Sequence, residues 1–394
     1  MSSPEPRRWL ALVIAASTVA LLAACVAETP SPTSVPTPSP SPSVSAGPVP
    51  VDAPTPRFAA GCEDLLPTTS LQAFLGDGVA PLAAVDLGAV SSPDASAAAQ
   101  LGALTCAWDD GRPSTTWVGP AADAQTVRLQ LLPEGEAEAL AYVDLYAGPD
   151  IPAGYGPGSQ GPRCVVHEVD AFCELYGWME NAWIELALHG IVAEDGDTDA
   201  SLAAEFTAMT DGMLAALGAG GAPGEAWTPP TSTNTIDECA QLTTAEEITE
   251  VTGLPELWFG LSWDGPRVGQ YWYTTTTAGA LRCTVGFTAS EASYGTVSLL
   301  PGGDWRYLLE RETWLADGGE PVGVTGLAAD DSVLRCADDE APCVLDLRLD
   351  RDWLRISFPT VPPESVTYLP EGVDFAAARA SIVELANRIV ANAG

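Results

Sequence analysis

Six aromatic side chains fall within sixteen residues: Trp258, Phe259, Trp263, Tyr271, Trp272 and Tyr273. Such rings stack on sugar rings, apolar ligands or partner side chains, and they also fill cores. The run 270–277 is aromatic and threonine-rich and reads as a strand. Neighbouring rings on a strand point to opposite faces, so one face is available to a ligand or partner. The alternative is that these rings fill a core and cover an interface within the chain.

Other chemistry is harder to assemble. His167 lies between Cys164 and Cys173, but zinc needs three or four ligands with free thiolates, and a disulfide hairpin accounts for the pair. His189 follows an apolar strand, 183–188, and reads as a strand-end residue. Asp195, Asp197 and Asp199 alternate as calcium ligands do. Ala200 and Phe206 stand where a calcium loop needs Gly and Glu, so the cluster reads as the cap of a helix entering Leu202. There is no Gly-x-Ser-x-Gly elbow and no lysine, which removes P-loop, Schiff-base and Ser-x-x-Lys chemistry. Among 53 acidic residues no carboxylate pair for sugar hydrolysis can be singled out. The expectation is a chain with no catalytic residues, metal or cofactor. A net charge of -37 argues against nucleic acid and anionic membrane surfaces as partners.

The N-terminus reads as an address. Residues 1–24 form a lipoprotein signal peptide, with Arg7 and Arg8 before an apolar stretch too short for a typical membrane span. Arg7-Arg8 also fits twin-arginine export, except that Pro6 stands where that motif has Ser or Thr. Leu22-Ala23-Ala24-Cys25 resembles a lipobox, which makes Cys25 the lipid-attachment residue. From 25 to 56 the chain is a tether, with ten prolines among residues 27–56. Extended as polyproline II it spans on the order of 90 Å. The expected location is the outer face of the cytoplasmic membrane, with the folded part projecting into the wall.

The cysteines state how the rest is built. Setting Cys25 aside leaves eight, an even number in an exported chain, which implies disulfides. Cys62 precedes Cys106 by the same interval that separates Cys239 from Cys283, and Trp183 and Trp353 each follow a cysteine by ten positions. Leu131-Leu132-Pro133 and Leu299-Leu300-Pro301 recur in the same order. These coincidences predict a tandem duplication, 57–217 and 236–394, joined by a Gly/Pro/Thr-rich linker at 218–235. The simplest pairing is Cys62–Cys106, Cys164–Cys173, Cys239–Cys283 and Cys336–Cys343. Copy one has no aromatic between Asp77 and Thr105, so the aromatic cluster belongs to copy two alone.

Within each copy the patterns predict helix, antiparallel strands, helix. Thr243 and Thr244 each have a glutamate three residues on and open a helix that Gly253 stops; 68–76 is its counterpart. Residues 296–300, 344–349 and 353–358 alternate as strands, the last two as a hairpin. Helices are expected at 305–316, at 202–217 and at 375–390, where Phe375, Ala378, Ile382, Leu385 and Ile389 share a face. The fold class is therefore α+β, a duplicated, disulfide-stapled domain with helices on a twisted antiparallel sheet.

Cys239-Ala240-Gln241-Leu242-Thr243, Cys283, and Val324-Thr325-Gly326-Leu327 with Asp330 resemble uncharacterised actinobacterial cell-surface lipoprotein domains. These are distantly similar to the extracellular sensor domains of receptor kinases. Copy one keeps Cys62, Leu65, Leu66, Gly76, Cys106 and Trp108 but has Gly161-Pro162-Arg163 at the Gly-Leu step. Copy two has Thr284-Val285 where the pattern puts a tryptophan. The resemblance implies a fold and a place, not a reaction. The expected function is a lipid-anchored extracytoplasmic binding or sensor module. Its partners are the membrane through the anchor, and an envelope protein or a glycan or lipid ligand. The alternatives are an accessory subunit of an envelope complex and a wall-directed hydrolase.

Overall fold

The computed structural model describes residues 51–82, 92–111, 124–146, 154–156, 158–167, 170–193, 196–261, 268–288, 293–336, 343–358 and 380–393. Cys25, Asp195, Trp263, Phe375 and Ala378 lie outside the described residues, as do the signal stretch and the tether to residue 50.

The first half runs α1 (Cys62–Leu65), α2 (Thr68–Leu75), β1 (Ala80–Pro81), α3 (Ala97–Gln100), β2 (Leu104–Asp109), β3 (Thr126–Leu132), α4 (Glu136–Tyr146), β4 (Ser159–Val166), β5 (Asp170–Met179), β6 (Ala182–Val192) and α5 (Asp199–Ala219). The second runs α6 (Cys239–Leu242), α7 (Ala245–Thr252), β7 (Leu257–Leu261), α8 (Gln270–Thr277), β8 (Leu281–Phe287), β9 (Ser293–Leu300), α9 (Asp304–Ala316), β10 (Glu320–Pro321), β11 (Ser332–Cys336), β12 (Cys343–Leu349), β13 (Asp352–Phe358) and α10 (Ile382–Ala393). The chain is α+β with two antiparallel sheets. Their orders are β1-β2-β3-β6-β5-β4 and β7-β8-β9-β13-β12-β11-β10. Read from β1 and from β7, the connectivity is the same, and the second sheet adds only the short edge strand β10.

Period-two alternation assigns the sheet faces. On β5, Ala171, Cys173 and Leu175 are buried, while Phe172, Glu174, Tyr176 and Trp178 alternate with them and are half-buried. On β6, Ile184, Leu186 and Leu188 join Val127, Leu129 and Leu131 of β3 in a core closed by Leu65, Leu71, Phe206, Met213 and Leu217 of α1, α2 and α5. The second sheet packs its inner face in the same way against Leu242, Ile248, Ile382, Leu385 and Ile389 of α6, α7 and α10. Each sheet's outer face carries a helix of its own half, α4 or α9, over a fully buried tryptophan, Trp183 or Trp353.

Local chemistry sets the helix ends. Glu247 N donates to Thr244 Oγ1 at 3.2 Å and Thr244 N donates to Glu247 Oε2 at 3.0 Å, a complete capping box. Gly253, left-handed at φ 72°, ends α7. Thr198 caps α5, and Asp199 Oδ1 accepts from Val166 N at 2.9 Å, which ties the first turn of α5 to β4. All four disulfides form as the spacing predicts, two of separation 44 tying α1 to β2 and α6 to β8, and two of 9 and 7 stapling β4 to β5 and β11 to β12.

One expectation is corrected. Residues 270–277 form the helix α8, not a strand. Tertiary docking overrides the β-propensity of Tyr, Trp and Thr. Gln270 and Thr274 share a buried helix face, and Thr274 and Thr275 donate their hydroxyls to the Tyr271 carbonyl at 3.0 and 2.9 Å. The linker segment lies against both halves. α5 extends to Ala219, Gly224 N donates to Arg57 O at 2.7 Å, and Ser232 and Asn234 donate to Asp352 Oδ2 at 2.8 and 2.9 Å.

Candidate functional site

Helix α8 reaches from the second half onto the first. Gln270 Nε2 donates to Trp183 O at 2.7 Å, and Gln270 N donates to Glu185 Oε1 at 3.2 Å. Tyr273 sets its ring 6.0 Å from Trp183, above Gly135. Tyr271 donates its hydroxyl to Asp94 Oδ2 at 2.7 Å, where Arg282 of β8 also donates at 3.1 Å. Asp94 is 1% exposed, so this carboxylate is a polar rivet between the halves. Burial, with Asp94 next, pushes the Tyr271 phenol well above its ordinary range.

Beside this junction lies the outer face of the first sheet. Register places Gln130, Glu185 and Tyr176 in one row across β3, β6 and β5. The next row holds Arg128, Ala187, Glu174 and Arg163, with Arg163 ion-paired to Glu174. From above, α4 brings Tyr142, its ring 6.2 Å from Trp183, 6.4 Å from Tyr176 and 4.8 Å from Tyr146. Tyr146 itself is 44% exposed. Glu185 is half-buried on this face, and burial raises its carboxyl to about 7 against the lowering effect of Gln270 N. Burial likewise pushes Tyr142 up to about 12, with Glu185, Tyr146 and Glu174 adding to the shift. Tyr176 is driven higher still by burial, then by Glu174 and Glu185.

The same face of the second sheet is sealed. Tyr307 and Trp314 of α9 close over Trp353 and Val333, and Trp314 is 4% exposed. Asp346, fully buried, accepts from Trp353 Nε1 at 2.9 Å, Arg355 Nε at 2.7 Å and Arg335 Nη2 at 2.7 Å. Both guanidinium groups lie over the Trp314 ring, at 4.7 and 5.6 Å.

The six sequence-picked aromatics are divided. Trp258 lies on the edge strand β7 across its register partner Gly286, in the room a Cβ would take, and Phe259 packs on the second core. Tyr271, Trp272 and Tyr273 are on α8, where Tyr271 and Tyr273 meet the first half. His167 and His189 flank the Phe172 ring, each 6.0 Å from it, and burial lowers the His189 imidazole from its ordinary value. Among the described residues no group of His, Cys, Asp and Glu is placed to hold a metal ion. No described helix is long and apolar enough to cross a membrane. The sequence reading passed over Asp94, Tyr142, Glu174, Tyr176 and Glu185. One signal was readable: the Cys-to-Trp interval that aligns Trp183 with Trp353 also aligns Glu185 with Arg355, a reversal of charge. Compared with known protein families, curated proteins and solved structures, the chain has no match.

Proposed function

We propose that this chain is a lipid-anchored extracytoplasmic binding module without catalytic activity, held at the membrane by Cys25 and carried into the wall by its proline-rich tether. The observation that supports it is the contrast between the two outer faces. The first leaves Tyr146 exposed and Phe172, Tyr176 and Trp178 half-buried around carboxylates, whereas the second buries Trp305, Tyr307, Trp314 and Trp353. A face that keeps aromatic and charged groups half in water, on a sheet fixed by disulfides, suits recognition. The recurrence of strand order and cysteine pairing in both halves supports an origin by duplication, after which one face closed and the other stayed open. The resemblance to actinobacterial cell-surface lipoproteins and sensor domains agrees with this reading.

Neighbour mapping on living cells tests the proposal. The reagent must be photoreactive or carboxyl-directed, because the chain has no lysine for amine chemistry. Recovery of one recurrent envelope protein, glycan or lipid adduct, lost when Cys25→Ala frees the chain from the membrane, is the expected result. A chain that releases with the cytoplasmic fraction and cross-links to nothing overturns it.

A further inference from the structure

Strand register puts Glu185 and Arg355 at equivalent places in the two sheets. Glu185 faces Gln130 on one side and Tyr176 on the other; Arg355 faces Ser298 and Asp346. Each lies two residues beyond the buried tryptophan of its half. In the second half this place holds a cation already. Arg355 Cζ stands 4.8 Å from the Trp353 ring centroid and 5.6 Å from that of Trp314, and its Nε donates to Asp346. Ring, guanidinium and carboxylate are all supplied by the chain itself.

The first half has the rings and a carboxylate at this place, where the second half has its cation. Trp183 and Tyr142 occupy the positions of the aromatic walls, Tyr176 flanks them, and Glu185 supplies the negative charge. Among the described residues Glu185 forms no ion pair; in the next row Arg163 of β4 is taken by Glu174, and Arg128 of β3 lies beside Ala187. A second acceptor stands beside it. Gln270 is 1% exposed, gives both its N and its Nε2 to the first half, and leaves its Oε1 without a hydrogen-bond partner. A carboxylate with a single backbone donor, an amide oxygen with none and several ring faces form the complement of an organic cation.

We propose that the outer face of the first sheet binds an alkylguanidinium or alkylammonium group, with Glu185 as counter-ion and Tyr142 and Tyr176 as its aromatic walls. The proposal rests on the binding-module reading and specifies its ligand chemistry. The titratable or charged groups around Glu185 are Tyr176 and Glu174 of β5, Tyr142 of α4 and Tyr273 of α8, with Arg128 of β3 and Arg163 of β4 in the next row. These tyrosines are all held above their ordinary values, so Glu185 is the group whose ionisation the cation meets near neutrality. Binding therefore strengthens as pH rises through about 7 and releases a proton.

Calorimetric titration of the folded chain with butylguanidinium, and separately with a capped Ala-Arg-Ala peptide, tests this at pH 6 and pH 8. Saturable binding in the millimolar range is expected, tighter at the higher pH, and weakened about tenfold by Glu185→Gln. Tyr142→Leu is expected to weaken it several-fold, and serves if the first variant perturbs the fold. Tighter binding of the peptide places the cation on a polypeptide; tighter binding of butylguanidinium places it on a small molecule. Absence of saturation with both probes, or affinity unchanged by both variants, overturns the proposal. If neighbour mapping still recovers a partner in that case, the binding-module reading survives and only the ligand class falls.

Discussion

Glu185 carries a cost that the fold tolerates. Its carboxyl titrates at about 7 in the folded chain against an ordinary 4.5, because burial outweighs the one backbone donor it has. The native state therefore holds the proton more tightly than the unfolded state across that window. Stability falls as pH rises from about 4.5 to 7, and above 7 the full penalty, about 3 kcal/mol, stands. Glu185→Gln removes it, so urea unfolding is expected to show the variant more stable by that amount at pH 8 and nearly equal at pH 4.5. A difference that does not change with pH refutes the assignment. A residue that weakens stability yet is expected to strengthen binding is the pattern of a functional site. Asp346 is the opposite case, a buried carboxylate fully satisfied by Trp353, Arg335 and Arg355. Asp346→Ala strands two guanidinium groups under α9, and thermal unfolding is expected to show a loss of about 3–5 kcal/mol. Neither role was legible beforehand. Strand alternation reveals that residue 185 faces outward, but whether a counter-ion stands opposite depends on which helix covers the face. The reversal between Glu185 and Arg355 was in the sequence, and only the register gives it meaning.

At the scale of elements, reading succeeded where the chain settles its own ends and failed where another part of the molecule decides. The α7 capping box, the Gly253 stop, the β12–β13 hairpin and all four cysteine pairs follow from local spacing and are present as expected. The segment 270–277 has the composition of a strand, yet it is a helix because its Gln270–Tyr273–Thr274 face docks on residues nearly a hundred positions earlier. No window of local sequence contains that contact. The same docking explains Gly135, which precedes α4 at φ 91° beneath both Trp183 and Tyr273. A Cβ there would stand 3.1 Å from each ring, on a backbone that L-residues rarely adopt. Gly135→Ala is expected to cost about 1–3 kcal/mol in chemical denaturation. It should also shift the near-ultraviolet signal of the Trp183–Tyr273 pair. An unchanged stability would mean that α8 is not seated on that turn.

For the whole molecule, the question is what makes two halves one unit. Every disulfide closes within a half: Cys62–Cys106 and Cys164–Cys173 in the first, Cys239–Cys283 and Cys336–Cys343 in the second. The covalent bridges therefore stiffen each half and leave the junction to non-covalent contacts. Among the described residues those contacts include Asp94 with Tyr271 and Arg282, Gln270 with Trp183 and Glu185, Gln100 Nε2 donating to Pro301 O at 3.0 Å, and the Tyr273 ring on Trp183. Because Asp94 is buried and shared by two donors from the other half, removing it leaves a phenol and a guanidinium uncompensated, at about 2–4 kcal/mol. The intact chain is expected to unfold in one calorimetric transition whose calorimetric and van't Hoff enthalpies agree. Asp94→Ala with Tyr273→Ala should split that transition in two, each carrying about half the enthalpy, because each half retains its own core and bridges. A double variant that still melts in one step at a lower temperature would place the coupling elsewhere, in the docked linker that joins Ser232 and Asn234 to Asp352. The distinction bears on recognition, since Glu185 receives its one backbone donor from the other half. If the halves part, Glu185 loses Gln270 N and the second acceptor beside it, so cation affinity in the double variant should fall together with the loss of cooperative unfolding.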